Sequence, residues 1–108
     1  MIINLLDINK KTAKGRIYDK KVAQAIVDQI NNGGIMAKNG PDYLSEIIGQ
    51  CKNAKINGDK VICEVQLIDS HIEELLNNKN GEFRICGAGD VNRNNVRNYK
   101  LSHITTSF

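Results

Sequence analysis

The run Lys52-Asn53-Ala54-Lys55-Ile56-Asn57-Gly58-Asp59-Lys60-Val61-Ile62-Cys63-Glu64-Val65-Gln66-Leu67 decides the fold class. From Lys60 to Leu67 the residues alternate. Val61, Cys63, Val65 and Leu67 fall on one side and Glu64 and Gln66 on the other, which is the period of a strand with one face buried. Asn57-Gly58-Asp59 separates this stretch from Lys52 to Ile56, and Asn-Gly readily takes the positive φ angles of a tight turn. The middle of the chain therefore reads as a β-hairpin.

On the N-terminal side, Ile2 to Ile8 is rich in Ile and Leu and reads as a strand, followed by a polar turn from Asn9 to Gly15. Arg16-Ile17-Tyr18 leads to Asp19, whose carboxylate can accept a bond from a first-turn amide and so start a helix. Val22, Ile26 and Ile30 recur every four residues with Ala23 and Val27 beside them, one apolar face of a helix over Asp19–Asn31. Asn31-Asn32-Gly33-Gly34 ends it, because Gly and Asn tolerate the left-handed cap conformation. Ile35 to Gly40 is bordered by glycine and fits either state. Pro41 suits the first turn of a short helix through Ile48, with Leu44, Ile47 and Ile48 inward.

On the C-terminal side, Ser70-His71-Ile72-Glu73 has the capping-box pattern and opens a helix over Ser70–Asn77, with Ile72, Leu75 and Leu76 inward. Glu82 to Cys86 reads as a strand that meets a flexible junction at Gly87-Ala88-Gly89. After the turn Asn92-Arg93-Asn94-Asn95, a last strand runs from Val96 to Ile104. Strict alternation puts Val96, Asn98 and Lys100 on one face and Arg97, Tyr99, Leu101 and His103 on the other. The order of elements, with strands connected mostly antiparallel and helices interspersed, is that of an α+β domain. It implies a curved, mostly antiparallel sheet or small barrel flanked by two or three helices, in one domain over residues 1–108. Val22, Ile26, Ile30, Val61, Cys63, Val65, Leu67, Leu75 and Leu101 are the expected core.

Composition narrows the function classes. The net charge of +3 is modest, its cations are spread along the chain, and aromatics are few, which does not match the basic stripe of a nucleic-acid binder. No apolar run approaches the roughly 20 residues of a membrane span. The start, Met1 to Asp7, lacks the basic and long apolar regions of a signal peptide, so synthesis in a cytosol is expected. Three cysteines without Cys-x-x-Cys spacing point to reduced, structural thiols and to no zinc site or other cofactor.

Acid–base chemistry has few carriers. His71 falls in the first turn of a helix and is expected near the surface. Ser102 and His103 are neighbours on a strand, and regular alternation points them to opposite faces, so they are not expected to hydrogen-bond as nucleophile and base. Gly87-Ala88-Gly89-Asp90 lacks the Gly-Lys-Ser/Thr ending and the following helix of a phosphate loop. Asp42 with Glu46, and Glu73 with Glu74, read as solvated surface acids.

The run Asn9…Ala13-Lys14-Gly15-Arg16-Ile17-Tyr18 before a helix resembles the Asn-Gly-Arg-Ile-Tyr-Pro signature of tailed-phage prohead maturation proteases, which have a herpesvirus-assemblin-like fold. Asn57-Gly58-Asp59-Lys60-Val61 resembles that family's Gly-Asn-Lys-Val-Tyr-Gly hairpin. Ile68-Asp69 with Ile72 to Leu76 is similar to the segment before its nucleophile strand, and Val96 to Thr105 is similar to its final strand. The resemblance touches nearly the whole chain in the family's order. It departs at the two positions that carry chemistry. Gly40-Pro41-Asp42-Tyr43-Leu44 has Tyr43 where the family's Asp-His-Pro loop supplies the catalytic His. Arg84-Ile85-Cys86-Gly87-Ala88-Gly89 stands where the family has Ile-Ser-Ser-Arg-Gly.

A Tyr with a pKa near 10 is no base at neutral pH. The resemblance thus implies a degenerate member without catalytic residues, a virion structural protein that docks on the major capsid protein or other virion proteins, or on copies of itself. No membrane, specific nucleic acid or cofactor is implied. An alternative keeps Cys86 as an atypical nucleophile with His103 as its base, which needs the fold to bring the two together.

Overall fold

The computed structural model describes residues 1–40, 44–78 and 82–106. The elements run β1 (Ile2–Asp7), α1 (Lys20–Asn31), β2 (Met36–Asn39), β3 (Glu46–Asn57), β4 (Lys60–Leu67), α2 (Ser70–Asn78), β5 (Arg84–Asn92) and β6 (Asn95–Thr106). All the strands join one sheet in the order β1-β4-β3-β2-β6-β5, curled into a half-barrel. Every pairing is antiparallel except β2 with β6, so the sheet is mixed. The α+β class with a curved sheet is as expected from the sequence.

The hairpin forms as its alternation requires. Val61, Cys63 and Val65 are buried on β4, and Asn57 faces Lys60 across the turn. The two central turn residues are Gly58 and Asp59, and only Gly58 takes a positive φ, at 63°; Asn57 is the last residue of its strand. In the β5–β6 turn both Arg93 and Asn94 take positive φ, 49° and 72°, the twist that suits two antiparallel strands. α1 starts as read: Asp19 accepts a 2.9 Å bond from the Val22 amide, and Val22, Ala23, Ile26, Val27 and Ile30 are buried. Of the nine expected core residues, Leu67 and Leu75 are half-buried and the other seven are buried.

Several readings need correction. Residues 46–48 belong to β3 and not to a helix; Pro41, Asp42 and Tyr43 lie outside the described residues. The helical spacing of Leu44, Ile47 and Ile48 misled, because Leu44 is 91% exposed while β3 is paired on both sides, by β2 and β4. That position in β3 admits only glycine, since a Cβ on Gly49 would lie 2.6 Å from the Gln66 carbonyl oxygen. The ambiguous stretch after α1 is the short strand β2. α2 is capped by Asp69, whose carboxylate accepts from the His71 amide at 2.9 Å, rather than by Ser70. β5 continues through Gly87-Ala88-Gly89, which is strand and not a junction.

The last correction concerns β6, whose faces do not follow simple alternation. Its register against β5 slips between Ala88 and Asp90 and again between Cys86 and Gly87. The first slip is a bulge at Asn98, with φ 52°, and it puts Val96 and Leu101 on the same buried side. A bulge in β1 after Asn4 likewise buries both Leu5 and Leu6.

β2 is only four residues long, yet it separates two twelve-residue strands, β3 and β6. Beyond β2, α1 fills the gap. The Gln29 amide donates to the Tyr99 carbonyl (2.9 Å) and accepts from the Leu101 amide (2.7 Å). Asn31 does the same to Ala54, donating to its carbonyl (2.9 Å) and accepting from its amide (2.8 Å). At the start of β6, Ile17 bonds Asn94 and Val96 through its own backbone.

Gln29→Ala should therefore cost about 2–4 kcal/mol by denaturant unfolding, because it leaves two inward backbone groups without their partner. Ile26→Ala should cost about 2–5 kcal/mol by cavity formation. A loss under about 0.5 kcal/mol in either variant would contradict this arrangement.

Candidate functional site

The residues singled out for chemistry converge on the β5–β6 ladder. Cys86 stands directly opposite His103 in the register, so the two side chains leave the sheet on the same side. Cys86 is half-buried and His103 is 3% exposed. The fold thus supplies the juxtaposition that a Cys86–His103 pair needs. Tyr43 lies outside the described residues.

Ser102 and His103 do meet, against the expectation from alternation. Ser102 Oγ lies 3.0 Å from His103 Nδ1. The cause is the second register slip, where Cys86 faces His103 but Gly87 faces Leu101. Ser102 is the extra residue of that bulge, and the local twist swings its hydroxyl beside the next side chain. Nothing in the residue pattern signals a bulge there. The other histidine, His71, is exposed on α2, 3.6 Å from Glu74, as a first-turn surface residue would be.

Beside Cys86 the strand is bare. A Cβ on Gly87 would clash with the Lys100 carbonyl oxygen and sit 2.9 Å from the Tyr99 hydroxyl, and one on Gly89 would sit 2.9 Å from the Arg97 carbonyl oxygen and 3.2 Å from the Tyr99 ring. The Tyr99 ring lies across both glycines and meets the Tyr18 ring edge-on, with centroids 5.6 Å apart at 83°. Burial, then the neighbouring Tyr18 and Cys86, push the Tyr99 hydroxyl above its ordinary pKa, and burial does the same to Tyr18. Both phenols stay protonated at neutral pH and serve as packing. Sequence reading missed this aromatic cover, although a Tyr across from Gly-x-Gly is a recognisable way to shield a bare strand.

The other two thiols belong to the core. Cys51 and Cys63, on neighbouring strands β3 and β4, are each 1% exposed. Their mutual hydrogen bond and then burial push the Cys51 thiol far up. Among the described residues no three His, Cys, Asp or Glu side chains converge as a metal site requires, and no helix is long and apolar enough to cross a membrane. No family model, curated protein or solved structure matches this chain.

The three thiols should separate in reactivity. With an excess of a small maleimide on the native protein, Cys86 should be modified first, while Cys51 and Cys63 react only on unfolding. Equal rates for all three, followed by peptide mass spectrometry, would contradict the burial described.

Proposed function

We propose that this chain is a non-enzymatic structural protein of a tailed-phage virion, an auxiliary, decoration or minor capsid protein that uses a prohead-protease-like scaffold to bind the capsid lattice. It folds in the host cytoplasm and resides in the particle, held by the major capsid protein or a neighbouring virion protein. The order of elements supports this, since Arg16-Ile17-Tyr18 precedes α1, the hairpin β3–β4 follows, and α2 precedes β5, as the resembling motifs are ordered. The observation that carries the non-enzymatic reading is the burial of His103. The candidate base His103 is enclosed at 3% exposure, away from where a peptide would have to receive its proton.

One observation favours a second reading, a peptidase with Cys86 as nucleophile. Cys86 and His103 face each other across the ladder, and a thiol beside an imidazole is the pairing that raises thiolate reactivity.

One experiment distinguishes the two. The purified chain is incubated with heads and head-scaffold proteins of its own phage, then analysed by co-sedimentation and mass spectrometry. Co-sedimentation with intact substrates, unchanged in Cys86→Ala, is the expected result. Specific cleavage that vanishes in Cys86→Ala would replace the first reading by the second, because loss of a catalytic nucleophile removes several orders of magnitude in rate. Neither binding nor cleavage would overturn both.

A further inference from the structure

β1 and β5 are the two ends of the sheet, and the curl carries the beginning of β5 towards β1. Between them lies an open groove of about 650 Å³, lined by all of β1, by residues 10–13 and by residues 82–84. The backbone of β1 is divided between its partner and this groove. Met1 and Val65 exchange both backbone bonds, at 2.8 and 3.1 Å. Alternation along an antiparallel pair then turns the N–H and C=O of Ile2 and Asn4 away from β4 and into the groove. The Ile2 side chain is 76% exposed beside them. The charges around the groove are unequal. Lys10, Lys11 and Arg84 are exposed cations, whereas of the two acids Asp7 is held by Lys60 at 2.7 Å, leaving Glu82 alone.

We propose that this groove binds an extended, acidic segment of a partner protein, added as a further strand along the edge of β1 that no described strand pairs. Ile2 and Asn4 present donor and acceptor two residues apart, the spacing at which an extended peptide offers its own. Four backbone bonds form at that end. The bulge after Asn4 stops the ladder there, and the cations of the 10–13 loop and Arg84 then meet acidic side chains of the incoming strand. The inference is independent of the virion reading, because it follows from the edge and its charge alone.

The test uses fluorescence anisotropy with a labelled, end-blocked octapeptide alternating Glu and Val. Its companions are a Lys–Val peptide, a Glu–Val peptide N-methylated on alternate amides in each of the two registers, and an oligothymidylate. Asn4→Pro removes an N–H that faces the groove and none from the β1–β4 ladder, and proline is tolerated on edge strands in that setting. The Glu–Val peptide should bind, and the Lys–Val peptide should bind at least about tenfold more weakly. Asn4→Pro, and N-methylation in one register, should each weaken binding about tenfold or more, the scale of one or two lost backbone bonds. Asn4→Ala should bind within about twofold of the original, and Lys10→Glu with Lys11→Glu should lose the preference for acid. If Asn4→Pro does not fold, as judged by circular dichroism, the N-methylated peptides decide alone. Absence of Glu–Val binding, insensitivity to N-methylation in both registers, or oligothymidylate binding that equals it would overturn the proposal in favour of no site or of a plain polyanion patch.

Discussion

The fold depends on how two long strands are satisfied where the strand between them stops. β2 covers Ile104 to Thr106 of β6 and the first residues of β3, and beyond it both strands would expose inward backbone groups. Each such group left without a partner costs about 1–3 kcal/mol. The side chains of Gln29 and Asn31 present one donor and one acceptor each, the same pair that a peptide group offers, so two residues of a helix stand in for a missing strand. A Glu or a Leu of the same size could not do this. The buried face of α1 supplies the adhesion, and the two amides fix its position on the sheet.

That arrangement governs what β5 and β6 can present. β6 is held by Ile17 at its start, by Gln29 at its middle and by β2 at its end, while β5 covers its other side. Its two bulges are therefore held in place, and they determine which side chains meet: Ser102 with His103, and Tyr99 with the glycines of β5. The ladder brings a thiol and an imidazole together, yet it encloses the imidazole. Packing is the better-developed property of this region.

Much of the fold was legible because it rests on local rules. The hairpin follows from strict alternation and a Gly turn, and α1 follows from its four-residue apolar spacing and the Asp19 cap. The sequence misled where long-range pairing overrode local preference. Leu44, Ile47 and Ile48 have helical spacing but join a strand because β2 and β4 claim that backbone. Bulges were invisible, since one extra residue at Asn98 or Ser102 leaves no mark in composition while it reverses every face after it. That is why the Ser102–His103 contact and the shared side of Val96 and Leu101 went unread. Asn31 read as a helix end and Gln29 carried no signal, because a side chain that replaces a strand cannot be told from a surface amide without knowing where the strand is missing. The facing of Cys86 and His103 was stated only as a condition, and the register of β5 against β6 meets it.

The most direct measurement is amide hydrogen exchange, resolved by residue, at Ala54 and Leu101. If side-chain amides complete the sheet, both N–H groups should be protected to a degree close to that of the amides bonded within the β3–β4 ladder. Exchange at Ala54 and Leu101 as fast as at Asn4, whose N–H faces the open groove, would contradict it.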